Sequence, residues 1–203
     1  MLNTRYPMRF VYMLLLPSLL LADYWQQKVN YDIDVELIDS VHQVSGHETI
    51  TYINNSPDSL NYIWMHLWPN AYKNTETMLA QQKFNQFSTK IHFLPDSSFG
   101  WIDIEKVTAD SQHIDWHFRS ADTLDVAKFM LNQPLLSGDT LFMDLDFVVQ
   151  VPASISRLAH MGHHYQMTQW YPKPAVYDSL GWHPMSYLDM GEFYSEWGNY
   201  EVS

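Results

Sequence analysis

The sequence predicts an all-β domain, an antiparallel sandwich or open curved sheet with one short helix, preceded by a signal peptide. Three observations carry this prediction. Apolar and polar residues alternate with period two through most of the chain past Asp23, which is the pattern of half-buried strands. Clusters such as Asn54-Asn55-Ser56-Pro57, Asp96-Ser97-Ser98, Ala109-Asp110-Ser111 and Ser137-Gly138-Asp139 interrupt it at short intervals. Asn, Asp and Ser bond their own backbone, Pro fixes φ and Gly frees it, so these clusters read as turns. Only one stretch, Thr75 to Phe87, is rich in helix formers.

The elements follow in order. Arg5 and Arg9 precede the apolar run from Phe10 to Ala22, which has the length of a signal-peptide core and falls short of the ~20 residues that span a bilayer. Pro17 in mid-run argues against a buried helix. Residues 1–22 are therefore expected to be a signal peptide cleaved after Ala22, with no stable membrane insertion afterwards. Leu20 stands where a small residue is preferred, so an uncleaved anchor is the alternative. Val29 to Leu37 alternates almost without error and is the first strand; His47 to Ile53 is the second. Leu60 to His66, Ile102 to Thr108, His113 to Arg119, Ala127 to Leu131 and Leu141 to Val151 continue the series. Thr75 is expected to cap the single helix. Asn199 to Ser203 reads as the start of a further strand, and the chain is accordingly expected to be a fragment of a longer protein. Residues 23–203 contain no repeat or low-complexity linker and are expected to form one domain.

Composition excludes several classes of function. The chain carries 11 Lys plus Arg against 23 Asp plus Glu, a net charge of −12. With Arg5 and Arg9 set aside, nine basic residues face 23 acidic ones, a balance of −14. A nucleic-acid backbone or an anionic membrane surface would be repelled. The absence of cysteine excludes disulfides, thiolate metal sites and a cysteine nucleophile.

The catalytic motifs sought are not there. His47-Glu48-Thr49-Ile50-Thr51 approaches the zinc-protease pattern HExxH, but Thr51 replaces the second histidine. That motif needs two imidazoles one helical turn apart, whereas this segment alternates as a strand. No phosphate loop, nucleophile elbow or EF-hand loop occurs. His160, His163 and His164 cluster around Gly162, with His183 further on. Adjacent residues of an extended segment point to opposite faces, so a polar, hydrogen-bonded loop is the expected role and no metal ligand is assigned. Glu192 and Glu196 read as solvated charge.

The stretch from Gln166 to Trp197 is dense in aromatic residues, Pro and Gly in an order that amphipathic patterning does not require. An earlier block, Trp64-Met65-His66-Leu67-Trp68-Pro69-Asn70-Ala71-Tyr72-Lys73-Asn74, has the same character. Together the two blocks resemble the amino-terminal domain of the M1 family of zinc metallopeptidases, the aminopeptidase N and leukotriene A4 hydrolase group, and its exported bacterial branch in particular. Tyr24-Trp25-Gln26-Gln27 fits the same branch. The resemblance covers everything after Asp23 and implies a saddle-like all-β domain in a periplasmic or extracellular enzyme. In such an enzyme a following catalytic domain, absent from this sequence, supplies HExxH, a third ligand Glu and the Zn²⁺, and the substrate is a peptide.

The resemblance also implies substrate-binding residues. The family's Thr-Gln pair corresponds to Thr168-Gln169, and the residue two beyond, commonly Gln or Glu, holds the substrate's amino group. Here that residue is Tyr171, which cannot offer a carboxylate to an ammonium. Gln169 and Tyr171 are thus the candidate substrate-binding residues, and packing against a neighbouring domain is the competing reading of both. Trp170, Tyr177, Trp182, Tyr187, Phe193, Tyr194 and Trp197 are expected mainly to pack. The chain holds no expected catalytic or metal residue of its own. The alternative function is a stand-alone, non-catalytic β-sandwich module that binds peptide or carbohydrate.

Overall fold

The computed structural model describes residues 24–120, 123–153 and 155–203, and within them the fold is all-β. The expected signal peptide, residues 1–22, lies outside the described residues. The strands are β1 (Lys28–Ile38), β2 (Gln43–Ile53), β3 (Leu60–His66), β4 (Trp101–Ala109), β5 (Gln112–His113), β6 (Trp116–Ser120), β7 (Thr123–Leu135), β8 (Thr140–Gln150), β9 (Ala159–Met161), β10 (His164–Gln166), β11 (Lys173–Pro174), β12 (Tyr177–Asp178), β13 (Gly181–Trp182) and β14 (Gly198–Val202). They form a six-stranded sheet in the order β14-β1-β2-β8-β4-β5 and a four-stranded sheet in the order β11-β3-β7-β6. Two small hairpins, β9-β10 and β12-β13, complete the set.

Between the named strands pairing is antiparallel except at one edge, where β14 runs parallel to β1 with Tyr31 opposite Tyr200. The buried faces of the two larger sheets share one hydrophobic cluster, in which Ile33, Ile50 and Phe147 from the first meet Ile63, Met65 and Phe129 from the second. Each such side chain contributes roughly 1.5–3 kcal/mol on leaving water. Gly46 on β2 is required by this packing. A Cβ there would stand 2.5 Å from the ring of Phe147 on the next strand.

Two expectations are corrected. The helix, α1, spans Met78–Asn85 and its cap is Thr77, whose Oγ1 accepts from the Ala80 amide at 3.3 Å. Thr77 also donates to the Ala71 carbonyl at 2.7 Å, a tie to the preceding turn that Thr75 does not make. The predicted strand from His113 to Arg119 is two strands, β5 and β6, on different sheets. The β4–β5 hairpin has the two-residue loop Asp110-Ser111, both at positive φ (48° and 65°). That geometry matches the twist of a tight hairpin.

Candidate functional site

The two aromatic blocks, about a hundred residues apart in sequence, meet in space. Lys173 of β11 pairs directly with His66 at the end of β3. The next turn, Trp68–Tyr72, is short and tight with Pro69 in its first positions, where a missing N–H costs nothing. It places Trp68 so that its Nε1 donates to the Met185 carbonyl at 2.9 Å, while the Met185 amide donates to His66 Nε2 at 3.1 Å. Asp125 of β7 ties both blocks at once. Its carbonyl accepts from the Leu67 amide at 2.8 Å and its carboxylate from the Tyr187 amide at 2.7 Å. From the other side, Gln82 of α1 accepts from the Asp189 and Met190 amides, and the Lys83 ammonium pairs with Asp189.

The seam encloses ionisable groups in unusual states. His66 is fully buried beside Trp68, with ring centroids 4.4 Å apart. Burial, and then the charge of Lys173, hold its pKa down at about 3, so the ring is neutral and accepts from Met185. Lys173 is 4% exposed, and among the described residues no carboxylate pairs with its ammonium. Burial lowers it to about 7. The ammonium sits 4.1 Å from the centroid of the Trp68 ring, an arrangement the ring quadrupole favours. Its hydrogen-bond partner is Gln169 Oε1. Asp125 is raised to about 6, chiefly by desolvation.

The two candidate substrate residues are placed differently. Gln169 is half-buried and left-handed, at φ 55°, a conformation that costs a residue with a Cβ on the order of 1 kcal/mol and clusters at functional positions. Its amide is anchored on Lys173. Tyr171 turns toward the β1–β14 edge. Its hydroxyl donates to that of Tyr200 at 3.2 Å, and its ring meets Tyr31 edge-on at 5.6 Å. Tyr31 in turn stacks on Tyr200 at 4.6 Å.

Beneath this tyrosine cluster lies the acid of the incomplete HExxH pattern. Glu48 of β2 is fully buried, and neither carboxylate oxygen has a hydrogen-bond partner among the described residues. Desolvation raises its pKa well above the usual range. A signal was present in the sequence: Glu48 shares the phase of Val44, Gly46, Ile50 and Tyr52, the inward face of the strand. His47, on the outward face, bonds Asp146 across to β8 at 2.6 Å.

The histidine cluster acts as a fastener of the β9-β10 hairpin. Tyr165 donates to Asp39 Oδ1 at 2.6 Å and meets His42 Nδ1 at 2.7 Å; His163 Nδ1 bonds Asp39 Oδ2 at 2.6 Å. These bonds, that of Tyr165 first, hold the Asp39 carboxyl below its ordinary pKa. His160 stacks on His42 at 3.6 Å, and His164 is exposed. His183 pairs instead with Asp178 at 2.8 Å. Among the described residues no three His, Asp or Glu side chains converge to hold a metal ion.

A separate cavity of about 430 Å³ opens beside the β12-β13 hairpin, lined by Tyr24, Trp25, Tyr177, Asp178, Tyr194, Glu196 and Trp197 among others. Gln169 and Tyr171 do not line it. Glu196, expected to be solvated, is 6% exposed and accepts from Gln26 at 2.9 Å; Glu192 is exposed as expected. The aromatic residues divide as their burial dictates. Tyr187 is fully buried and Trp170, Tyr177, Trp182 and Phe193 pack against the core, whereas Tyr194 and Trp197 are exposed.

No family model matches this chain, and no curated protein matches it. Solved structures do. The M1 zinc metallopeptidase from Deinococcus radiodurans is 16% identical, with a TM-score of 0.40 over 66% of this chain and 22% of that one. A mutant of the Deinococcus radiodurans M1 zinc metallopeptidase bound to a Tyr-Ser-Ala substrate gives 15%, 0.41, 68% and 25%. Native leukotriene A4 hydrolase from Saccharomyces cerevisiae gives 11%, 0.36, 61% and 15%. This chain thus spans a quarter or less of the length of these chains.

Proposed function

We propose that residues 23–203 are the amino-terminal β domain of an exported, M1-type zinc peptidase, and that this domain builds one wall of the peptide cleft with Gln169 as its substrate contact. The observation that carries the reading is the convergence of the two aromatic blocks. The same residues that bear the sequence resemblance are locked together by Lys173, His66, Trp68 and Met185, and they present Gln169 in a conformation that folding alone does not favour. Tyr171 belongs to the domain's edge packing, since its hydroxyl is taken by Tyr200.

The Zn²⁺ that this reading requires finds no ligand set among the described residues. His42 and His163 already spend Nδ1 on Tyr165 and Asp39, so no hydrolytic step is assigned to this chain. Its contribution is to bind and orient peptide, while metal, general base and the zinc ligands come from the catalytic domain that the resemblance implies. A second reading, a binding module for peptide or carbohydrate, draws on the aromatic cavity beside β12-β13, since flat rings give large contact at small entropic cost.

The test is hydrolysis of aminoacyl anilides and short peptides by the natural full-length polypeptide. Chelator-sensitive hydrolysis by that polypeptide, and none by residues 23–203 alone, is the expected result. A full-length protein that binds peptide or glycan without hydrolysing either would favour the binding module.

A further inference from the structure

An unpaired lysine inside a protein is rare, because removing an ammonium from water is costly unless a partner compensates. Lys173 is such a residue, and its surroundings explain what it does. It lies between Pro172 and Pro174, with Lys173 and Pro174 in register against His66 and Met65. One side is closed by the Trp68 ring, and the Tyr171 ring stands 5.9 Å from the ammonium. His66, the ionisable group directly across the strands, is neutral and already accepts from Met185. Among the described residues, the one hydrogen-bond acceptor offered to the ammonium is Gln169 Oε1.

A primary amide has a carbonyl that only accepts and an NH₂ that only donates, while an ammonium only donates. Contact between protonated Lys173 and Gln169, the form held below the lowered lysine pKa of about 7, therefore fixes which end of the amide faces inward. The carbonyl oxygen must meet Lys173, leaving the NH₂ at the other end. Gln169 Nε2 has no hydrogen-bond partner among the described residues and is not a buried, unsatisfied atom. Its N–H groups are therefore free to donate to a bound ligand.

We infer that Lys173 is a positioning residue that locks the Gln169 amide with its oxygen inward and its N–H groups outward, so that this wall donates a hydrogen bond to a carbonyl oxygen of the substrate. The inference rests on the proposed function and sharpens it. An amide that presents its N–H groups does not capture a free ammonium, and Tyr171, turned onto Tyr200 at the β1–β14 edge, brings no carboxylate to do so. Selection for a free amino end, where the enzyme makes one, falls to other parts of the protein.

The test is a double-mutant cycle in the natural full-length polypeptide with a short peptide substrate. Lys173→Met keeps the length and removes the donor; Lys173→Arg keeps a donor-only group. The Met variant should raise KM about tenfold, the size of one oriented hydrogen bond, with kcat within about twofold. Gln169→Ala should do the same, and the double variant should be no worse than Gln169→Ala alone. Lys173→Arg should recover part of the loss. An unchanged KM in Lys173→Met, or additive losses in the double variant, would overturn the inference. Residues 23–203 provide an independent arm if the full-length protein hydrolyses nothing and the proposed function itself fails. There, the ¹⁵N-labelled side-chain amide of Gln169, identified by its loss in Gln169→Ala, should shift on Lys173→Met; a signal indifferent to that substitution refutes the orientation by itself.

Discussion

Glu48 gives the sharpest energetic prediction. Its carboxyl is fully buried between Ile33 and Leu145, its cross-strand neighbours, without a hydrogen bond among the described residues. Burial raises its folded-state pKa, and no group beside it lowers it again. Since the folded form keeps a proton that the unfolded form releases above its ordinary value of ~4.3, stability attributable to this group falls as pH rises. The slope is about 1.4 kcal/mol per pH unit, from ~4.3 up to the folded-state pKa. Replacing Glu48 by Met removes the titration and keeps the volume. Relative to the native chain, the variant should gain more at pH 7 than at pH 5, by about 1.4 kcal/mol for each pH unit of that interval lying below the folded-state pKa, on top of any constant gain from removing a buried polar group. Urea unfolding of residues 23–203 at the two pH values measures this difference directly. Each 1.4 kcal/mol of it corresponds to roughly 3–6 °C in melting temperature for a domain of this size. Equal gains at both values would show that Glu48 is ionised and solvated in the fold, and the buried-carboxyl account would fail.

Three further outcomes follow from particular contacts. Thr77→Ala removes the helix cap and the bond to the Ala71 carbonyl, and should cost about 1–2 kcal/mol in thermal unfolding; a loss in Thr75→Ala instead would restore the earlier cap assignment. Gly46→Ala drives a methyl against the Phe147 ring and should cost about 1–3 kcal/mol, a loss that Phe147→Leu in the same chain should partly relieve; if the two losses simply add, the clash is not the cause. The His66 ring, held at about 3 by burial and Lys173, should show no NMR titration between pH 8 and pH 5, where an ordinary histidine passes through its midpoint near ~6.5. The sign is that of a depressed base: stability attributable to His66 is present above ~6.5 and drains away as acid approaches pH 3.

The strands were legible because period two survives wherever one face is buried. β1, β3 and β8 match the expected spans to within a residue or two. What the pattern could not carry was pairing. A strand shows nothing of its neighbour, so the division of His113 to Arg119 between two sheets and the parallel β1–β14 edge emerged only in three dimensions. At the site, Gln169 could be singled out through resemblance, but the group that orients it could not. Lys173 sits in a segment with no periodicity, where three prolines interrupt the alternation that would have marked it as buried. Glu48 was a different failure. Its position in the inward phase of β2 was visible, but alternation shows only which face a side chain takes, not whether a carboxyl placed there finds a partner.

The central claim, that this β domain forms a peptide-binding wall of a zinc peptidase, is tested most directly by peptide hydrolysis in the natural full-length polypeptide with and without chelator, native against Gln169→Ala. The account predicts hydrolysis abolished by chelator and restored by Zn²⁺, with the Gln169 variant raising KM about tenfold at nearly unchanged kcat. Hydrolysis that survives chelation, or a Gln169 variant indistinguishable from native, would contradict it.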